Sequence, residues 1–579
     1  MTTPSPTTIG RRPWWPWVIL GLGLIWTVVL RVPLILNAED HLDSDLAVDG
    51  LTLLDAVNGQ WRWHYPGTPF IGILPMLLSY PQAVVWGANP ITLVSGGTVI
   101  WVLVVGSTFW LAWKAFGPAV AGWSIVPLVF SSLGTIWLSG RITGGHLLTL
   151  VWHTMAFAGL HACLTRGGWQ WAVALGTWCG LGLYLDAMFL FTLAGLVPAA
   201  VLAWLLGARS RSALGSAAAF LAGMMIGLLP RAIGQWVDPY DAYPSQFTAT
   251  FQPSAILGHA RLLMLRCLPR LIAGPELSEF DRQLPRDGTL GEELLRFLYT
   301  GGNSWVMPPW TEWLAIVLVL GFLVAFVRVV RDPARAIEPA RRAVGRGTIL
   351  SSLAIVAGFL VNRNIYNSDN YRYLIFLLTP WALGFGLLMN DLARQRWFGV
   401  LAAWVVAAIL AEVMTATTFL WYRDECLYVD RSGLPVCSRP PAWSELVVVL
   451  WAPGRHGALI RGTTKFTVPS DVTHILGGYW DVYRMAFLSG KRVVGIPLSM
   501  YPNRFPGWSR GLGAGQGRLL VLFPYESEAP RSASTMGARG MPKVWSARGE
   551  HWRSALLTPW MLDGRDPAEL DRLRVVVVP

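Results

Sequence analysis

Long apolar stretches separated by short polar segments dominate the first 421 residues. About eleven stretches approach the roughly 20 residues that an α-helix needs to cross a bilayer. They lie near 17–36, 91–113, 118–138, 146–164, 169–185, 187–206, 213–232, 309–327, 347–361, 372–390 and 397–421. The pattern predicts an α-helical polytopic membrane domain over residues 1–421, with about eleven transmembrane helices.

The basic residues between these stretches predict an orientation. If the N-terminus is cytoplasmic, every second connection carries Arg or Lys, as the positive-inside rule requires. These residues are Arg11 and Arg12, Lys114, Arg166, Arg209 and Arg211, the cluster from Arg328 to Arg346, and Arg394 and Arg396. The alternation then places the loops 37–90 and 233–308, and everything after about 422, outside the cytoplasm. No small-x-small cleavage site follows the first stretch, so we expect a retained signal anchor.

The pattern changes beyond residue 421. Short β-like runs at 465–468, 492–497, 519–523 and 574–578 alternate with a helix-like piece at 479–488. This predicts an extracytoplasmic soluble domain of α/β or α+β class over residues 422–579, with 422–445 as a linker. Another apolar run, 70–86, is interrupted by Pro75 and Pro81 and is interpreted as an interfacial segment.

Composition supports a membrane protein and excludes some functions. Hydrophobic residues make up 53% of the chain, charged residues 14%, and the mean hydropathy is +0.45, which together exclude an ordinary soluble enzyme. The net charge of +12 resides in short loops between apolar stretches, and no basic domain is present to bind nucleic acid. The 32 tryptophans are interpreted mainly as interfacial residues.

Two cysteines lie close together in the predicted extracytoplasmic part. Cys426 and Cys437 flank the turn at 432–435, in a compartment where disulfides form. A disulfide between them is one alternative and two free thiols the other, because the sequence does not give the Cα separation.

An acidic segment follows the first membrane stretch. Asp43, Asp45 and Asp49 lie within nine residues, 41–49. Carboxylates at the end of a membrane helix are costly near lipid unless they face water, a substrate or a metal. Asp45, Asp49 and Thr52 share one stripe of a predicted helix, which we expect to lie along the membrane surface.

The segment around these acids resembles the GT-C superfamily of membrane glycosyltransferases, in particular bacterial relatives of the protein O-mannosyltransferases and of the lipid A aminoarabinose transferase. The resemblance rests on 44–51 (Ser-Asp-Leu-Ala-Val-Asp-Gly-Leu), on 64–67 (His-Tyr-Pro-Gly), and on 371–374 (Tyr-Arg-Tyr-Leu) opening a late helix. It implies a GT-C-like fold. The outer segment 478–505 is also similar to outer domains of such proteins.

The resemblance implies roles for individual residues. Asp45 matches the aspartate that acts as general base on the acceptor hydroxyl, and Arg372 matches a basic residue near the donor phosphate. Leu46 stands where many relatives have Glu. That departure keeps open a catalytically inactive GT-C-like assembly protein as one alternative.

Further candidates follow from residue chemistry. Cations suited to a phosphate are Arg141, His146 and Arg372 with its neighbour Tyr373, and the trio Arg261, Arg266 and Arg270; the alternative is that these side chains anchor helix ends in the headgroup region. The supporting acids are Asp43, Asp49 and Asp186. Asp43 is a candidate helix N-cap, Asp49 fits a solvated carboxylate that favours the helix dipole, and Asp186 is expected to pair with an arginine or a metal.

The sequence therefore predicts an inverting glycosyltransferase of the cell (plasma or inner) membrane. It would move a sugar from a polyprenyl-phosphate donor to an extracytoplasmic lipid, glycan or protein acceptor, without a soluble cofactor. The sequence does not establish whether a divalent metal takes part. The remaining alternative is a lipid or sugar transporter or flippase, which would need polar residues in the middle of several membrane stretches.

Overall fold

The computed structural model describes most of the membrane part and the framework of the C-terminal part. The described residues are 14–36, 38, 42–207, 212–237, 248–274, 310–331, 338–365, 368–424, 472–477, 479–497, 504–505, 508, 518–521 and 574–577. The predicted disulfide between Cys426 and Cys437 lies outside them, as do Arg11, Arg12, Arg209 and Arg211.

Helices form nearly all of the described membrane part. They are α1 Trp15–Val29, α2 Val32–Leu36, α3 Ser44–Val57, α4 Leu74–Trp86, α5 Pro90–Phe116, α6 Pro118–Ser124, α7 Val126–Val129, α8 Leu133–Leu138, α9 Leu147–Arg166, α10 Trp169–Leu185, α11 Phe189–Gly207, α12 Ser212–Val237, α13 Pro253–Leu262, a π-helix Leu263–Cys267, α14 Leu268–Ile272, α15 Trp310–Val330, α16 Pro339–Val361, a 3-10 helix Ser368–Leu377, α17 Leu378–Ala393 and α18 Arg396–Asp424. A hairpin of β1 His64–Tyr65 and β2 Thr68–Gly72 joins α3 to α4.

Seven helices among the described residues are long and apolar enough to cross a membrane, judged by length and composition. They are Trp15–Leu36, Pro90–Phe116, Leu147–Arg166, Leu214–Val237, Pro339–Val361, Asn370–Ala393 and Arg396–Thr418, and shorter apolar helices lie at Pro118–Val129, Phe189–Leu205 and Ala315–Val330. The predicted α-helical polytopic membrane architecture is confirmed. The number of eleven spans stays a prediction.

One predicted span is wrong as a single helix. The stretch 118–138 is broken into α6, α7 and α8. Pro127 has no amide hydrogen and so interrupts the helical hydrogen bonds where α6 passes into α7, and Phe130, at φ −89° and ψ 70°, ends the helical backbone before α8. Ser132 then begins α8 by accepting a hydrogen bond from the Thr135 amide.

Glycines let two membrane helices pack with their backbones in contact. Gly176 and Gly180 of α10 face the carbonyls of Phe220 and Met224, while Gly223 and Gly227 of α12 face those of Val173 and Thr177. Both helices thus carry glycines four residues apart, the spacing that favours close helix packing in a bilayer.

The C-terminal part contains a parallel sheet. Strands β3 Val472–Gly477, β4 Val494–Pro497, β5 Arg518–Val521 and β6 Arg574–Val577 pair in the order β4-β3-β5-β6, and α19 Tyr479–Leu488 connects β3 to β4. We call these elements the C-terminal α/β unit. The predicted runs at 492–497, 519–523 and 574–578 contain strands, and β3 was not predicted. The run 465–468 lies outside the described residues.

The helix carrying the acidic segment is buried instead of lying on the surface as predicted. Nearly every residue of α3 is buried, Leu46 and Leu53 included, because α4 and α5 pack on it from the membrane part and α19 from the C-terminal α/β unit. The Phe487 ring of α19 lies against Gly50, leaving no room there for a side chain. The predicted interfacial segment 70–86 forms part of β2 and the helix α4, with Pro81 inside the helix.

Candidate functional site

The start of α3 presents three carboxylates with different surroundings. Asp43 caps the helix: its Oδ1 accepts a hydrogen bond from the Leu46 amide at 2.9 Å. Asp45 lies in the first turn with a side chain 17% exposed, and Asp49, one turn later, is buried. Only Asp45 therefore combines partial exposure with no capping role.

The loop from Arg141 to His146, between α8 and α9, contacts three of the predicted acids. The Arg141 guanidinium pairs with Asp43 Oδ2, and the Thr143 amide donates to Asp49 Oδ2 at 3.2 Å. At the end of the loop, His146 Nδ1 lies 2.6 Å from Asp186 Oδ2. One six-residue loop thus joins α3 to the turn between α10 and α11.

The Asp45 carboxylate lies between two guanidinium groups. Arg372 Nη1 is 3.8 Å from Oδ2 and Arg504 Nη2 is 3.6 Å from Oδ1. Both distances exceed those of a hydrogen bond, so these contacts are electrostatic. The Tyr65 hydroxyl fixes the backbone by donating to the Asp45 carbonyl at 3.1 Å.

Arg372 connects the site to the 3-10 helix that opens a late membrane span. Its Nη2 lies 3.4 Å from the Tyr373 hydroxyl, and the Tyr373 ring is 5.5 Å from the His146 ring, centroid to centroid. The four predicted donor-side residues, Arg141, His146, Arg372 and Tyr373, therefore surround the acidic start of α3.

Arg504 is a site residue that the sequence reasoning missed. Its amide donates to the Tyr483 hydroxyl at 2.7 Å, and its Nη1 lies 3.4 Å from the Pro66 carbonyl oxygen. Its aliphatic stem passes over Gly67, whose φ of +66° and lack of a side chain permit both the turn and the close approach. No local spacing or motif marks Arg504, since its partner Pro66 lies 438 positions away in sequence.

A second ion-pair group fastens the C-terminal α/β unit to α3. Lys491 pairs with Asp55 Oδ1, and Arg62 Nη2 lies 3.6 Å from Asp55 Oδ2. The Asp55 side chain is 5% exposed. Together with Phe487 on Gly50, these contacts hold the unit that carries Arg504.

Burial changes the proton affinity of two acids on α3. Burial raises the pKa of Asp49 to about 7, and hydrogen bonds from Thr143 and Tyr65 oppose the shift. The expectation that Asp49 is a solvated carboxylate is therefore wrong. Burial also raises the pKa of Asp43, against the opposing charge of Arg141.

Asp186 has a different partner from the one predicted. It caps the C-terminal end of α10 and pairs with His146 instead of an arginine. Thr149 donates to its Oδ2 at 3.1 Å and the Met188 amide to its Oδ1 at 2.9 Å. Within the part of the chain that the structure describes, no group of three or more His, Cys, Asp or Glu side chains is arranged to hold a metal ion.

The trio of loop arginines divides among three short helical elements. Arg270 of α14 lies over the rings of Tyr371 and Trp137, at 4.6 and 5.7 Å from their centroids. The Tyr371 hydroxyl donates to the Gly134 carbonyl at 2.8 Å. Arg270 thus packs behind the Tyr-Arg-Tyr-Leu segment, while Arg261 lies in α13 and Arg266 in the π-helix.

Solved membrane enzymes have similar structures at low sequence identity. The archaeal oligosaccharyltransferase AglB from Archaeoglobus fulgidus, solved with an inhibitory peptide and a dolichol-phosphate, is 12% identical with a TM-score of 0.48, covering 90% of this chain and 68% of its own. The same oligosaccharyltransferase with Zn and sulfate has a TM-score of 0.48 at 12% identity over 86% of this chain and 65% of its own. ArnT from Cupriavidus metallidurans bound to undecaprenyl phosphate is 12% identical with a TM-score of 0.47, covering 86% and 88%.

The chain thus spans about two thirds of the length of the archaeal enzyme and most of the length of ArnT. No family model matches the chain, and no curated protein matches it.

Proposed function

We propose that this protein is an inverting membrane glycosyltransferase that uses a polyprenyl-phosphate sugar as donor. The observation that carries the proposal is the position of the Asp45 carboxylate between Arg372 and Arg504, at 3.8 and 3.6 Å. A base and cations lie side by side, which is what transfer from a phosphate leaving group requires.

The reaction assigns a task to each group. The acceptor hydroxyl oxygen attacks the anomeric carbon while the bond from that carbon to the phosphate oxygen breaks, and the electron pair leaves with the phosphate. Asp45 takes the acceptor proton. Arg372 stabilises the charge on the departing phosphate through its planar, multiply donating guanidinium. A single displacement inverts the configuration at the anomeric carbon.

The other residues have supporting tasks in this proposal. Arg141 is engaged with Asp43, so it fixes the helix start and adds positive potential. Asp49 and Asp186 hold the loop from Arg141 to His146. Arg504 brings the C-terminal α/β unit to the acceptor side of Asp45, and we place this face outside the cytoplasm because the predicted cytoplasmic connections carry the basic residues.

The proposal is tested with purified protein in liposomes. Undecaprenyl-phosphate mannose and undecaprenyl-phosphate aminoarabinose serve as donors with lipid A or a peptide mixture as acceptor, and the release of undecaprenyl phosphate is measured. We expect the wild type to release it with at least one donor. Asp45→Asn should lower the rate by about 100-fold or more, because the amide keeps the shape but accepts no proton.

Asp391→Asn is the control. It removes a carboxylate near the far end of α17, one that pairs with Arg328 and contacts neither Arg372 nor Arg504. Its rate should stay within a few-fold of wild type. A wild-type rate for Asp45→Asn would contradict the base assignment, and no release by the wild type would favour the transporter alternative.

A further inference from the structure

A small, open cleft lies between α11 and α16. Leu202 and Ala203 of α11 form one wall, and Pro339 and Ala343 of α16 form the other. The guanidinium-bearing side chains of Arg342 and Arg346 complete the lining. The cleft is therefore apolar on its sides and cationic along one edge.

The cleft lies at the opposite end of α11 from the candidate site. Asp186 lies three residues before α11. Leu202 and Ala203 lie near the other end of that helix, about 20 Å from its start at ~1.5 Å per residue. In between, Gly195 packs directly against the Gly347 carbonyl, and Ser351 donates to the Thr192 carbonyl at 3.2 Å. The two helices touch there and separate beyond it, which opens the cleft.

The two arginines are arranged for a common anionic ligand. They lie four residues apart on α16, so they project from the same face of the helix, and both are half-buried. Among the described residues, Arg346 makes no ion pair or hydrogen bond. A partly buried cation is costly without a counter-charge. Arginines that only set the orientation of the chain in the membrane need neither be buried nor share a cleft.

The neighbouring arginine behaves differently. Arg341 lies outside the cleft lining, with its guanidinium over the Phe116 ring at 5.0 Å from the centroid. The same helix end thus offers one arginine that stacks on an aromatic ring and two that face an apolar cleft. Substitution of Arg341 therefore removes one positive charge from this helix end without changing the cleft.

We propose that the cleft binds the headgroup phosphate of an anionic phospholipid, with Arg342 and Arg346 as its ligands. Guanidinium groups suit a phosphodiester because they donate paired hydrogen bonds in one plane. Basic clefts between membrane helices are sites where such headgroups bind. Val201 and Leu205 on this end of α11 are about half exposed, at 46% and 53%, and offer an apolar surface for the acyl chains.

Native mass spectrometry tests this site. The protein is released from bilayers of phosphatidylcholine that contain phosphatidylglycerol as the minor component, and retained phosphatidylglycerol is measured. Arg342→Gln and Arg346→Gln should each weaken retention about fivefold, the effect of one basic side chain facing an anionic lipid. Ala203→Trp, which fills the cleft without changing charge, should also abolish retention.

Arg341→Gln is the control, because it removes the same charge from the same helix end. It should retain phosphatidylglycerol as the wild type does. Equal loss in all three arginine variants would overturn the proposal in favour of diffuse surface attraction. Displacement of the lipid by soluble glycerol phosphate at similar concentrations would overturn the lipid as ligand, and retention by Ala203→Trp would overturn the cleft as the site.

Discussion

Asp45 and Asp186 are two carboxylates beside the same loop, and their surroundings differ in kind. Asp186 has a side chain 4% exposed and three partners at 2.6 to 3.1 Å, namely His146, Thr149 and the Met188 amide. Asp45 is 17% exposed and faces guanidinium groups at 3.6 and 3.8 Å. Asp186 is thus fixed by short hydrogen bonds from the surrounding fold, whereas Asp45 is the more exposed carboxylate and faces two cations.

The partners of the two acids also come from different kinds of chain segment. His146 belongs to the loop that starts α9, and its backbone φ of +53° lies in the left-handed region, a conformation that costs about 1 kcal/mol or more outside glycine. The pairing with Asp186 offsets this cost. The partners of Asp45 instead come from two separate parts of the chain, the 3-10 helix and the C-terminal α/β unit.

The largest expected change in stability comes from Asp186→Ala. The substitution leaves His146, Thr149 and the Met188 amide without their acceptor, and breaking such a buried pair costs roughly 3–5 kcal/mol. We expect a markedly lower apparent melting temperature in detergent, with turnover of the folded fraction reduced by less than about tenfold. Asp45→Ala is the comparison, and its melting temperature should change little. A melting temperature for Asp186→Ala equal to that of the wild type would contradict the prediction, because Asp186 would then contribute no more to stability than Asp45.

The next largest effect distinguishes the two arginines that flank Asp45 by their influence on donor affinity. Arg372→Ala should weaken donor binding and lower turnover, each by about tenfold, because a charge-assisted hydrogen bond of roughly 1.5–3 kcal/mol to the donor phosphate is removed. Arg504→Ala should lower turnover by a similar factor while donor affinity stays unchanged.

Donor affinity is measured by titration with undecaprenyl phosphate, and turnover by its release from the sugar donor. Arg270→Ala controls for loss of a nearby cation that stacks on Tyr371. Equal loss of donor affinity in Arg372→Ala and Arg504→Ala would assign both arginines to the phosphate.

The smallest effect concerns Asp49 and pH. Its folded-state pKa of about 7 lies above the ordinary value of 3.8, so the folded state holds the proton more tightly than the unfolded state. Stability should therefore fall as pH rises from about 4 to 7 and level off above. Asp49→Asn, which still accepts from the Thr143 amide, should remove this slope and raise the melting temperature by a few degrees at pH 8. A pH profile that is unchanged in Asp49→Asn would contradict the assignment.

The membrane helices and the acidic segment could be predicted because their signals are local. Apolar length marks a span whatever its neighbours are, and three acids after a membrane helix stand out from the pattern. Breaks inside a span were harder to predict: Pro127 divides 118–138, whereas Pro81 is accommodated within α4. Tertiary packing decides whether a proline ends a helix.

The pairings within the site could not be predicted, because they depend on distant segments. Arg141 and His146 were identified as cations near a helix end, but nothing local distinguishes a contact with Asp43 from one with Asp186. Arg504 becomes recognisable as a site residue only through its contacts with Tyr65, Pro66 and Gly67. The burial of Asp49 likewise results from α4, α5 and α19 packing on α3.

The contact of Arg504 with the Pro66 carbonyl has a consequence for biosynthesis. The 438 positions between them take about 20 to 90 s to translate at ~5–20 residues per second. Asp45 is made before that interval begins, and Arg372 is made 132 positions before Arg504, so the site lacks its second arginine until Arg504 follows. A nascent chain would thus be inserted in the membrane with an incomplete site, which is completed only when the C-terminal α/β unit folds onto α3.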